Sequence, residues 1–194
     1  MALDELSSFR LVGGTAIALQ IGHRKSVDVD LFSNQKANLK KISDAIGRNF
    51  PNAKNLTITQ SHISVFLLGV RVDIYDDWRI PFLHNEVVAD GIRLAVLKDL
   101  AAFKLSSIVG RREKKDYIDL FFLFKSLGGK EVLSAFKQYE PLLSDKSLLF
   151  ALTEVETAKT NKTPMPEMLL PIDWAEIKKF LTQECRAYFG GLNK

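Results

Sequence analysis

The sequence contains a single cysteine, Cys185, in 194 residues. One thiol excludes an internal disulfide and any cysteine-built zinc cluster, and it fits a reducing cytoplasm. No apolar run approaches the roughly 18–20 residues that a membrane-spanning helix needs, so no membrane partner is expected. The opening MALDELSSFRLVGG has no basic stretch leading into an apolar one, and no signal peptide is expected there. Internal repeats and low-complexity tracts are absent, which excludes solenoids and collagen-like chains. Histidines number three. His23 has no second His or Cys near it in sequence, so it reads as a positioning hydrogen-bonder rather than a metal ligand.

What is present is an ordinary globular mix, 46% hydrophobic and 26% charged, with a formal charge of +4. That size and balance suit one domain, or one domain with an appendage. The mild basic excess leans towards anionic partners such as nucleotides or RNA. Strand patterns cover residues 9–12, 26–32, 55–60, 62–68 and 70–75, interleaved with helical stretches at 15–21 and 39–50. After Pro81 the pattern turns helical: 94–108, 115–127, 131–139, 144–157, and a last helix from Asp173 to about Tyr188, before Gly190-Gly191. Asp173 and Glu176 have capping-box spacing. The expected fold is α+β: a small mixed sheet with flanking helices over residues 1–80. A helical half, 81–194, is expected to pack on it and complete a cleft.

The chemistry gathers in the first half. Alternation along Ser26–Phe32 puts Val27, Val29 and Leu31 on one face and Asp28 and Asp30 on the other. Two carboxylates that close repel each other. They face water or hold a divalent cation, and hard oxygen ligands suit Mg2+ (or Mn2+) alongside substrate phosphates. Gly13-Gly14-Thr15 ends a strand and opens a helix, leaving backbone N–H groups free to meet a phosphate. Asp73 lies on the polar face of a later strand. If that strand neighbours the Asp28-Asp30 strand, three carboxylates converge, as two-metal phosphoryl transfer requires.

Val12-Gly13-Gly14, a thirteen-residue spacer (15–27), then Asp28-Val29-Asp30-Leu31 resembles the nucleotidyltransferase superfamily typified by DNA polymerase beta. More closely, LVGGTAIALQIGHRKSVDVDLF and the later DLAAFKLSSIVGRREKKDYIDLFFLF are similar to the AbiEii/AbiGii toxin nucleotidyltransferases. The likeness spans about residues 9–125. One departure is that only Met1–Ser8 precede the first strand, where relatives usually carry a helix. The resemblance implies a cytoplasmic enzyme that moves an NMP from an NTP to a hydroxyl. Asp28 and Asp30 would hold Mg2+, with Asp73 as third ligand or general base. Gly13, Gly14 and Thr15 would cradle the β/γ-phosphates, with Arg24 and Ser26 as further phosphate contacts. It also implies active-site roles for Lys104 and for Asp116 or Asp119. It suggests RNA, such as the tRNA 3′ end, or a protein as acceptor, and a cognate antitoxin as partner.

Each of these residues also has a plainer reading. Lys104 sits at the edge of an apolar helical stripe, where its stem could run along the surface to water, and Lys98 flanks the other edge. Asp116 could cap its helix, and Asp119 could pair with Lys104 or Arg111. Residues 111–115 are a basic loop, open to a triphosphate, an RNA backbone or solvent. Tyr75 and Trp78 could stack a base, but nothing in the sequence selects that. The rival functional readings are a catalytically silent nucleotide- or protein-binding module, and a phosphohydrolase built on Asp-x-Asp. Phe32 stands two residues after the second Asp, where the haloacid-dehalogenase pattern normally has Thr or Val, and that disfavours the phosphohydrolase.

Overall fold

The computed structural model describes residues 1–190; Gly191, expected beside Gly190 at the end of the last helix, lies outside them. After a 3-10 turn at Asp4–Leu6 come β1 (Arg10–Val12), α1 (Gly13–Ile21), β2 (Val29–Phe32) and α2 (Leu39–Asn49). Then follow β3 (Lys54–Ile58), β4 (His62–Leu67), β5 (Val70–Tyr75), β6 (Val87–Ala89) and β7 (Ile92–Leu94). The rest is helical: α3 (Leu97–Gly110), α4 (Lys114–Leu127), α5 (Gly129–Tyr139), α6 (Asp145–Thr153), α7 (Val155–Thr160) and α8 (Trp174–Phe189). Among the described residues no helix is long and apolar enough to cross a membrane.

The described residues form two compact units, residues 1–16 with 26–96, and residues 17–25 with those from Leu97 onward. The first holds a seven-stranded mixed sheet in the order β3-β4-β5-β2-β1-β7-β6. β2 is antiparallel to β1 and parallel to β5, while β7 runs parallel to β1. The α+β expectation is met, with a larger sheet than expected. Strand character continues past Pro81, because Asp90-Gly91 turns a β6–β7 hairpin: both residues have positive φ, as a tight hairpin turn requires. Leu94 therefore ends a strand instead of opening a helix, and α3 starts at Leu97.

One face of the sheet is apolar. Leu31, Ile63, Val65 and Ile74 are buried there, and α2 covers this side of the first unit with Leu39, Ile42 and Ile46, spaced for one helical face. Asn38 caps α2 by accepting the Lys41 N–H at 2.9 Å. In the second unit α3, α4, α5, α6 and α8 bury a common core that includes Leu105, Phe121, Phe124, Phe136, Leu152 and Leu181. The Tyr117 hydroxyl donates to the Ala151 carbonyl at 2.6 Å inside it. Asp173 stands at the N-cap of α8 but its side chain makes no cap bond; Glu176 pairs instead with Lys125, 3.0 Å away. The predicted 144–157 helix breaks at Glu154 into α6 and α7.

Candidate active site

Two predicted residues, Gly13 and Asp30, meet where β1 turns into α1. Gly13 has φ +68°, a left-handed conformation that side chains other than glycine's disfavour. Val12 pairs with Asp30 across the antiparallel β1/β2 ladder, so Gly13 lies beneath the Asp30 side chain. A Cβ on Gly13 would sit 3.1 Å from Asp30 Cγ and closer still to Oδ2. The missing side chain is the space the carboxylate occupies.

Thr15 fixes the approach to the same strand. Its hydroxyl donates to the Asp28 carbonyl and lies 2.9 Å from Ser26 Oγ. Asp28 is exposed and directly precedes β2; Asp30 is half-buried within it. Thr15 and Ser26 therefore place Asp28 beside the first turn of α1, whose backbone N–H groups have no partners within the helix.

Asp73 faces Asp30 in register across the parallel β2/β5 pair. Its carboxylate is 2.8 Å from Arg71 Nε and 3.0 Å from His62 Nε2. Burial opposes its ionisation, but hydrogen bonds from Ser64 and His62 and the charge of Arg71 outweigh that, holding it below the usual carboxylate range. Sequence reasoning missed His62 and Ser64. They stand on β4, and only the pairing of Ser64 with Asp73 and His62 with Tyr75 reveals them, whereas Arg71 shares the Asp73 face of β5 by alternation.

The donor set suits a hard divalent cation. Among the described residues no group of three or more His, Cys, Asp or Glu gathers to hold a metal. Mg2+, however, is commonly held by one or two carboxylates, its remaining positions filled by waters and substrate phosphates. Asp28 and Asp30 would be the pair to hold it, and the absent side chain of Gly13 gives the Asp30 carboxylate its place.

The remaining predicted residues form a buried ion cluster inside the second unit. Arg24 donates to both oxygens of Asp119, at 2.6 and 2.8 Å, a bidentate fork. His23 Nε2 lies 2.8 Å from the same carboxylate, and the Nδ1 atom of that ring is buried without a hydrogen-bond partner among the described residues. Lys104 Nζ bridges Asp119 at 2.9 Å and Asp116 at 3.0 Å. Arg111 Nε reaches Asp116 at 3.1 Å. Lys104 is 5% exposed, so its stem does not carry the ammonium to water, and Asp116 is ion-paired instead of capping α4, whose N-cap is Glu113. Burial works against the charge on Lys104, yet Asp119 and Asp116 hold its pKa above the ordinary value. Burial also opposes the charge on both aspartates, but Lys104, with Arg111 at Asp116 and with Arg24 and His23 at Asp119, holds them well below theirs. The backbone around His23 and Arg24 is fixed as well: Leu169 N–H donates to the His23 carbonyl at 2.9 Å, and Lys25 N–H to that of Glu167 at 2.8 Å.

An uncharacterized protein of Aquifex aeolicus (strain VF5) is 29% identical over 195 residues, covering 97% of this chain and 91% of that protein. The crystal structure of JHP933 from Helicobacter pylori matches 96% of this chain and 85% of its own, at 19% identity and TM-score 0.53. That of ANT(2″)-Ia in complex with adenylyl-2″-tobramycin matches 69% and 87%, at 14% identity and TM-score 0.54. At these identities the two structures establish the fold. The family model described as nucleotidyl transferase AbiEii toxin, type IV toxin–antitoxin system, matches residues 3–187, and the chain belongs to that family.

Proposed function

We propose that this protein transfers a nucleoside monophosphate from an NTP to a hydroxyl acceptor, with Asp28 and Asp30 holding Mg2+ (or Mn2+). The observation that carries this reading is the placement of the Asp30 carboxylate over a side-chain-free Gly13 at the mouth of α1. Gly13, Gly14 and Thr15 offer backbone N–H groups to the β/γ-phosphates, where a helix N-terminus favours negative charge. A bound divalent ion would offset triphosphate charge and polarise the α-phosphorus. Asp73, held ionised beside Asp30, accepts the proton of the acceptor hydroxyl as its oxygen bonds to the α-phosphorus; the bond to the β-phosphate breaks and pyrophosphate leaves.

Within the second unit, the ion cluster fixes the segment that carries His23 and Arg24. Asp119 anchors His23 and Arg24, which lead in sequence directly to Ser26 and the carboxylate pair. Lys104 and Asp116 complete the charge balance that keeps Asp119 ionised while buried. The acceptor we propose is RNA, such as a tRNA 3′ end, or a protein hydroxyl. Family membership supports a cognate antitoxin as partner, and cytoplasmic action fits the lone cysteine.

The test is transfer from each of four α-labelled NTPs to total tRNA, to bulk protein or to neither, beside γ-labelled controls. Label from the α-position in RNA or protein, with the γ-label released as pyrophosphate, is expected. Transfer of the γ-label would make the protein a phosphotransferase and overturn the reading.

A further inference from the structure

Four rings form a ladder on the carboxylate face of the sheet. Phe32 stands two residues beyond Asp30 on β2, and Tyr75 two beyond Asp73 on β5, and they pair in register. Trp78 lies on Phe32 with ring centroids 4.0 Å apart, Tyr75 meets Phe32 edge-on at 5.3 Å, and His62 stacks on Tyr75 at 4.1 Å and 15°. None of the four is fully buried, whereas Phe9, Phe121, Phe124 and Phe136 are.

The segment that carries Trp78 is held rigidly. Asp77, just before it, has φ +52°, a left-handed conformation that costs a non-glycine residue about 1–2 kcal/mol. Asn34 clamps the segment on both sides, donating to the carbonyls of Trp78 at 2.6 Å and Ile80 at 2.9 Å and accepting the Phe82 N–H at 2.8 Å. Trp78 N–H also donates to the Ser33 carbonyl at 2.8 Å. The indole Nε1 is buried without an acceptor among the described residues, so this ring is not placed to satisfy its own polar atom.

The ladder has a direction relative to the proposed chemistry. Because β1 is antiparallel to β2 and Val12 pairs with Asp30, the mouth of α1 lies towards Asp28, away from Phe32. Phe32 lies about 6.7 Å along the strand from Asp30 in the other direction. In an in-line displacement the entering and leaving oxygens stand on opposite sides of the phosphorus. With the leaving phosphates at α1, the rings flank the other side.

Resting on the transfer reading above, we infer that the Trp78–Phe32–Tyr75 ladder stacks a nucleobase of the substrates. Flat rings on a half-exposed aromatic surface suit a base of any identity, because every base has a π-face. The base belongs either to the NTP or to the terminal residue of a polynucleotide acceptor.

Trp78 and Trp174 are the only two tryptophans, so Trp174→Phe leaves Trp78 as the sole indole reporter. Its fluorescence is followed with ATP, inorganic tripolyphosphate, a short oligoribonucleotide, and the same oligomer abasic at its 3′ end. Quenching by base-bearing ligands and none by tripolyphosphate is expected. Trp78→Ala, monitored by competition, weakens base-bearing ligands by about 5- to 100-fold. Trp78→Phe keeps the stack and binds within about threefold of the parent, which separates lost stacking from lost folding. A loss confined to ATP assigns the NTP base; a loss confined to the intact oligomer assigns the acceptor base. Unchanged Trp78 emission with every ligand, together with parental binding by Trp78→Ala, overturns the inference. Label transfer is measured on the same proteins: its persistence in that case leaves the transfer reading standing, and its absence from the parent counts against that reading alone.

Discussion

An alanine at position 13 would put its Cβ on the Asp30 carboxylate, in a backbone conformation that disfavours any side chain. The two penalties differ in kind. The φ penalty is about 1–2 kcal/mol of stability. The clash is with the end of a side chain that swings aside at little cost, but swinging aside moves a proposed metal ligand. Gly13→Ala is therefore expected to lower transfer by about 100-fold or more, the cost of misplacing a reacting constellation by about 1 Å, while denaturant unfolding records only the modest loss. A large stability loss with proportionate activity per folded molecule would contradict this account. At this scale the sequence was informative about Asp28, Asp30 and Asp73, because strand alternation alone puts them on polar faces. It was silent on His62 and Ser64 as the setting of Asp73, because strand register is a tertiary fact.

Among the elements, α4 combines an apolar helix with two buried carboxylates, and its stability hangs on their partners. Asp119→Asn removes the charge that Arg24 and Lys104 share, leaving the buried Arg24 guanidinium without its anion and Lys104 with Asp116 alone. Breaking a buried pair in this way costs about 3–5 kcal/mol, expected as a lowered denaturant midpoint with an unchanged slope. Asn34→Ala is milder. It frees the 78–82 segment from three hydrogen bonds, and faster amide exchange confined to that segment is expected, with most of the stability retained. The helices α1 to α5 were largely readable from their apolar spacing and from stops such as Gly22, Pro51, Gly110 and Gly128. The β6–β7 hairpin was not, because its strands are three residues each, too short to show alternation. That Lys104 needed acidic partners could be argued from its helix. That it is buried, with two of them, depends on how α3 packs against α4.

For the molecule as a whole, the ion cluster sets a pH window. Asp116 and Asp119 have lowered pKa values in the folded state, so their contribution is present above the unfolded carboxylate value near 4 and is lost as pH falls through the folded values. Lys104 has a raised value, so its contribution is present below the unfolded lysine value near 10.4 and is lost as pH rises through the folded one. The stability difference between the parent and Asp119→Asn is expected to stay level from about pH 5 to pH 9 and to shrink outside that range; a steady slope through neutrality would contradict it. The central claim concerns the first unit, that Asp28 and Asp30 carry a divalent-ion-dependent nucleotidyl transfer. Its most direct test is α-label transfer by the parent, Asp28→Asn and Asp30→Asn, each stripped with chelator and then given Mg2+ or Mn2+. The account predicts transfer by the parent only when the ion is returned, and a loss of at least about 1,000-fold in either variant with folding intact. Ion-independent transfer, or transfer that survives both substitutions, would contradict it.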